Sequence, residues 1–265
     1  MDIFKTADMW IREDIGFAMA TIIESKGSTP RHSAKMLIKS NGELMGTIGG
    51  GPGEYKVIQD SLVALSNNEN TIKEYVFNKN VKGGLPTQCG GTMRVLIEVF
   101  PKRRRIVLIG AGYVNQAVMR IAQQMDWRIV VADDRPDYAT TALLPEASEI
   151  HSDENIAVAV RASNIQKDDI CVIATKDCDL DALRETLKSE TFYVGMIGSK
   201  RKVTKIFETL EEEGVGTDVL SMIHAPIGLD IGAETPTEIA ISIMSEVVSY
   251  LNKGSGNSMK IRESI

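Results

Sequence analysis

Cysteine and histidine are scarce in this 265-residue chain, three of each, and the scarcity excludes several chemistries. Cys89, Cys171 and Cys178 form no Cys-x-x-Cys pair and no even framework, so the spacing encodes neither a paired-cysteine zinc site nor a disulfide scaffold. His32 and His151 have no constellation around them, and no His-Glu-x-x-His helix or Ser-His-Asp arrangement is legible. Long apolar runs are missing: none reaches the roughly 18 residues of a membrane span. The opening Met-Asp-Ile-Phe-Lys-Thr-Ala-Asp lacks the basic and apolar regions of a secretory leader. Basic charge is in deficit, with a net of −6, which argues against a general nucleic-acid binder. The short run Lys102-Arg103-Arg104-Arg105 reads as a solvated linker edge. The expectation is a cytoplasmic protein in a reducing compartment, with no nucleic-acid and no membrane partner.

What is present is ordinary in bulk, 43% hydrophobic and 25% charged, and long enough for two domains. The Pro-plus-basic break at 101–105 divides it into residues 1–100 and 101–252. The Gly/Ser/Asn-rich 253–265 has little to bury and reads as a flexible tail. In the first part a helix is predicted over 4–13, a buried strand over 17–24 and a Gly-Ser-Thr-Pro-Arg loop at 27–31. Strands 36–40 and 43–48 flank Asn41-Gly42, the signature of a type I′ hairpin turn. A helix over 52–65 and alternating strands at 71–77 and 92–99 complete a small mixed α/β domain. The second part alternates strands at 105–110, 128–133, 170–175, 192–197 and 220–224 with helices at 113–125, 154–162, 180–188, 200–212 and 236–251. Such alternation predicts a parallel, doubly wound sheet with ligands at the carboxyl ends of its strands.

Five glycine-punctuated stretches carry the chemistry. Residues 224–240 form a loop with His224, Gly228, Asp230 and Gly232 that feeds a helix capped by Thr235, Pro236 and Glu238. Gly110-Ala-Gly112-Tyr-Val-Asn115 follows a strand and opens a helix, the context of a dinucleotide fingerprint, although Asn115 stands where a third glycine is usual. Asp133 ends the next strand, placed to accept from a ribose hydroxyl, and Arg135 is placed for a 2′-phosphate. Gly198, Ser199, Lys200, Arg201 and Lys202 put cations at a helix start, which suits an anion or is simply a solvated cap. Gly49, Gly50 and Gly51 precede Glu54 in a strand-to-helix loop whose N–H groups suit an oxyanion. Cys89 sits before Gly90 and Gly91, where a thiolate could bind a soft metal or carry sulfur, or be a small residue in a tight turn. Cys171 lies inside an apolar strand and reads as inert core.

Taken in order, Gly27-Ser-Thr-Pro-Arg31, the triple-glycine loop with Glu54, Gln-Cys89-Gly-Gly, Asp133-Asp-Arg-Pro136, Tyr193-Val-Gly-Met-Ile-Gly-Ser-Lys-Arg-Lys202 and the 224–240 string make the chain resemble the XdhC/CoxI family of xanthine dehydrogenase accessory factors. The resemblance runs over about residues 10–250. It implies an XdhC/CoxI-type N-terminal domain, a Rossmann-like C-terminal domain and self-association as a homodimer. It also implies a chaperone that binds the molybdenum cofactor (molybdopterin), holds it while a cysteine desulfurase supplies sulfur, and helps insert it into a molybdenum hydroxylase apoenzyme. On this resemblance Cys89 contacts molybdenum or sulfur; Arg31, Lys200 and Arg201 supply positive charge, and the glycine loops supply backbone N–H groups. Pro52 and Gly53 replace a His or Cys common in relatives, and Tyr113 and Asn115 replace a His and a Gly. Two other readings remain open: an NAD(P)-dependent oxidoreductase with His224 as base, and a regulatory nucleotide sensor.

Overall fold

A computed structural model describes residues 2–86 and 90–260. Cys89 lies outside the described residues. The chain divides into two compact units, Met1–Arg103 and Arg104–Ile265.

In the first unit, helix α1 (Ile3–Arg12) precedes strands β1 (Phe17–Lys26), β2 (Lys35–Lys39) and β3 (Leu44–Gly46). Helix α2 (Gly51–Asn67) and strands β4 (Thr71–Val76) and β5 (Thr92–Phe100) follow. The strands form one antiparallel sheet in the order β3-β2-β1-β5-β4. Alternation along β1 decides its two faces. Ala18, Ala20 and Ile22 join Val57, Ala64, Phe77 and Met93 beneath α2, whereas Phe17 and Met19 pack under Ala7 and Trp10 of α1. The hairpin forms where Asn41-Gly42 predicts it, but with a different turn. Only Gly42 of the turn takes positive φ (86°), whereas a type I′ turn needs it at both central residues. Gly42 N–H donates to the Lys39 carbonyl and Lys39 N–H to that of Glu43, a three-residue loop with glycine at the left-handed position. Asn41 accepts from Glu43 N–H through its side chain, so its preference for turns is met without left-handed backbone.

The second unit is a parallel sheet of β6 (Arg105–Ile109), β7 (Arg128–Asp133), β8 (Glu149–Ser152), β9 (Ile170–Ile173), β10 (Tyr193–Met196) and β11 (Ile223–His224). Helices α3 (Tyr113–Gln124), α4 (Ile156–Ala162), α5 (Asp179–Thr186), α6 (Lys200–Glu212), α7 (Thr217–Ser221) and α8 (Pro236–Leu251) connect and cover it. Strand order β11-β10-β9-β6-β7-β8 is the doubly wound dinucleotide-binding order, reversing between β6 and β9. The central strands are buried end to end, as the near-continuous apolar runs predict. Two elements depart from expectation. Residues 217–221 are helical, so the strand predicted over 220–224 shrinks to Ile223–His224; Leu220 reaches the core equally well from a helix. Edge strand β8 has no apolar run to announce it and exists through its pairing with β7. No helix among the described residues is long and apolar enough to cross a membrane.

Candidate functional site

In the first unit three glycine stretches meet at one end of the sheet. A Cβ on Gly27 would touch Gly91 Cα at 3.2 Å, and Ser28 bridges Gly90 in parallel. A Cβ on Gly49 would lie 2.4 Å from the Pro30 side chain, so the loop after β1 rests on the triple-glycine loop. Arg31, Ser33, Lys35, Gly46 and Thr47 line a groove of about 470 Å³ on the same loops. Arg31 is exposed and has no ion pair among the described residues, while Lys35 Nζ donates to Thr21 at 2.8 Å. The structure therefore brings Arg31, Gly49, Gly90 and Gly91 together.

Glu54 does not face the groove as a free carboxylate. Its Oε2 accepts from Thr47 Oγ1, from Ile48 N at 3.0 Å and from Gly50 N at 3.0 Å. The loop N–H groups read from sequence as an oxyanion cradle are thus largely taken by an internal anion, while Gly50 and Gly51 keep open space on their Cβ side. Burial raises the Glu54 pKa, but the hydrogen bonds from Thr47, Gly50, Ile48 and Gly49 outweigh it and hold the group below the usual carboxylate range. A depressed folded pKa stabilises above the unfolded value and is lost as pH falls through the folded one. The stability gap between wild type and Glu54→Gln is expected to be about 1 kcal/mol at neutral pH. Thermal melts at stepped pH should show that gap closing below about pH 4; a gap constant down to pH 3 would contradict this.

The second unit gathers Gly110, Gly112, Asp133 and Arg135. Gly110 (φ 99°) lets the loop pass the β9 end, since a Cβ there would come 2.3 Å from the Ala174 carbonyl. Asn115 replaces the third glycine of the fingerprint and braces the same loop, donating to the carbonyls of Ile109 (3.1 Å) and Gly110 (2.7 Å). Asp133 is fully buried. Its Oδ2 accepts from Ala111 N–H, and its Oδ1 from Arg135 N (2.7 Å) and Nε (3.0 Å). Arg135 also lies 4.2 Å over the Tyr138 ring. The acid placed by sequence for a ribose is therefore engaged by the protein itself, and so is the cation placed for a 2′-phosphate.

Ser199 caps α6 by accepting from Lys202 N, and Gly198 precedes it. Lys202 pairs with buried Asp179, whereas Lys200 and Arg201 are exposed without an ion pair among the described residues. Asp230 is exposed in the loop before α8, whose capping box of Thr235 and Glu238 forms as the motif predicts. Cys178, partnerless in sequence, donates to Asp134 at 3.3 Å; burial and that carboxylate push its thiol up to about 11. Cys171 is buried in β9, and burial raises its thiol far above the ordinary value, as inert core requires.

His224 is hydrogen-bonded through Nδ1 to Glu246, and Glu246 also accepts from Gly228 N. Motif reading misses Glu246. Its signal is composition: it is the only charged residue between Ile239 and Leu251. Thr47, which ties down Glu54, is likewise invisible without the fold.

Residues 106–247 match the model of the XdhC Rossmann domain, and residues 10–76 that of the XdhC and CoxI family. An Escherichia coli protein described as uncharacterized protein YqeB is 39% identical over 98% of this chain and 48% of its own length. A Bacillus subtilis protein described as a probable xanthine dehydrogenase subunit is 27% identical over 59% of this chain and 46% of its own. The chain thus spans about half the length of both relatives. The Escherichia coli molybdenum cofactor insertion chaperone PaoD is 21% identical over 88% of this chain and 83% of its own. A crystal structure of a xanthine dehydrogenase from Bacillus halodurans shares the fold with a TM-score of 0.50 at 22% identity, over 98% of each chain. The chain belongs to the XdhC and CoxI family and carries an XdhC Rossmann domain after its N-terminal unit.

Proposed function

We propose that this chain is a maturation factor for a molybdenum hydroxylase, binding the molybdenum cofactor and supporting its sulfuration and insertion. The observation that carries the reading is the convergence of the 27–31, 46–54 and 90–91 loops beside a groove whose arginine has no ion pair among the described residues. Close backbone approach and a cation suit a ligand with a phosphate and a flat ring. Arg31 and Ser33 would hold the phosphate, the open backbone at Gly50 and Gly51 would admit the rest, and Cys89 would contact molybdenum or its sulfur. When bound, the cofactor supplies the metal centre that the hydroxylase uses. The chain's own residues bind and orient it. A family relative described as a cofactor insertion chaperone supports the same reading. The partners this implies are a hydroxylase apoenzyme, a cysteine desulfurase and a second copy of the chain.

Nicotinamide binding is the second reading, favoured by the strand order and the Gly110-Ala-Gly112 turn. The engagement of Asp133 by Ala111 and Arg135 weighs against it. A titration with molybdenum cofactor, run beside NAD(H) and NADP(H), separates the two. Cofactor binding is expected, with Cys89→Ala lowering loading by at least ~10-fold and abolishing activation of a target hydroxylase. Unchanged loading and activation in Cys89→Ala would remove that residue from the site. Nicotinamide binding alone would overturn the maturation role.

A further inference from the structure

His224 is held on three sides. Tyr193 stacks on its ring with centroids 4.3 Å apart and planes at 28°, and Tyr250 meets it edge-on at 5.0 Å and 84°. On the third side, Nδ1 is hydrogen-bonded to Glu246 Oε1. The other oxygen of Glu246 accepts from Gly228 N, so one carboxylate ties the end of β11 and the following loop to α8. When the ring is neutral, an ionised carboxylate, which only accepts, keeps its proton on Nδ1 and leaves the lone pair on Nε2. Among the described residues Nε2 has no hydrogen-bond partner, and the His224 side chain is 26% exposed.

A merely structural role fits this arrangement poorly. Apolar packing between β11 and α8 would hold the edge strand without the cost of shielding a carboxylate from water. Instead the only charged residue between Ile239 and Leu251 is placed there, one oxygen orienting the imidazole and the other holding the Gly228 N–H. The Tyr193 hydroxyl is also buried there, beside Glu246 but without a well-formed hydrogen bond among the described residues. Ring stacking, edge contact and hydrogen bond together fix the position of Nε2, as a binding group requires.

We infer that His224 and Glu246 form a ligand-facing acceptor, with Glu246 the positioning residue, His224 Nε2 the acceptor, and the ligand a planar heterocycle that presents an N–H or O–H group. A pterin is such a heterocycle, and its choice as probe rests on the cofactor reading above; the orientation of His224 does not.

The test uses full-length protein with ¹⁵N-labelled histidine rings. Three histidines give three ring systems, and His32 and His151 serve as internal references. Wild-type protein is expected to show His224 protonated on Nδ1 and bare on Nε2. Pterin, the ring system without metal or phosphate, should shift the Nε2 resonance of His224 saturably and leave the other two in place. Glu246→Gln should move the majority tautomer to Nε2–H and weaken pterin about tenfold, with Glu246→Asp restoring part of both. A wild-type His224 protonated on Nε2 overturns the inference without any variant. So does pterin that leaves Nε2 unmoved, or a Glu246→Gln protein with the wild-type tautomer. Failure of the cofactor reading shows elsewhere, as nicotinamide binding without any molybdenum cofactor binding, and leaves the His224 tautomer and its dependence on Glu246 standing.

Discussion

Asp133→Ala is expected to lower the stability of the C-terminal unit by ~3 kcal/mol, because it strands a buried Ala111 N–H and removes the hydrogen-bonded partner of Arg135, leaving it only Asp134 at 3.7 Å. For a domain of this size that is a fall in Tm of roughly 6–12 °C. The figure sits at the low end of the range for breaking a buried pair, since the Arg135 side chain is 29% exposed and regains water. Calorimetry measures the stability loss. Titration with NAD(H) on the same preparation, below its Tm, measures the function that sequence assigned to this acid. If Asp133 is a strut of the Gly110 loop, Tm falls sharply and any nicotinamide affinity follows folding alone. An unchanged Tm with a selective loss of nicotinamide affinity would return Asp133 to the ribose.

Gly91→Ala is expected to damage the N-terminal unit severely, costing ~3 kcal/mol and most of its cofactor loading. A Cβ there would come 2.3 Å from the Ser28 carbonyl oxygen and 2.8 Å from that of Lys26, and these are backbone atoms that cannot swing aside. The two loops would have to separate, and with them the Ser28–Gly90 bridge. Its neighbour provides the control. Gly90 has φ 75° but open space where a Cβ would stand, so Gly90→Ala carries only the left-handed backbone cost of about 1 kcal/mol. Thermal melts with cofactor loading measured on both variants make the comparison. Similar behaviour of the two would mean that close approach of the loops is not what the site requires.

Much of the fold was legible because local chemistry and tertiary context agree. The strand–helix alternation after residue 105 gives the doubly wound sheet, and Thr235-Pro-Thr-Glu238 gives the start of α8 within its own four residues. Failures occur where a partner strand or a packing need decides instead. Strand β8 depends on β7, residues 217–221 satisfy Leu220 from a helix, and the Asn41-Gly42 turn closes through Lys39 and Glu43.

Sequence alone determined where glycine loops fall and where the long helices begin, because conformational freedom and capping are properties of a few adjacent residues. It placed Arg31, Gly49 and Gly91 in loops and Asp133 and His224 at strand ends. Only the tertiary structure decided what those side chains face. Glu54 turns inward onto the loop whose N–H groups were expected to hold an oxyanion, Asp133 onto Ala111, and His224 onto a glutamate 22 positions away. A carboxylate takes whichever N–H or cation the fold brings within hydrogen-bond distance, and that distance is set by chain segments remote in sequence.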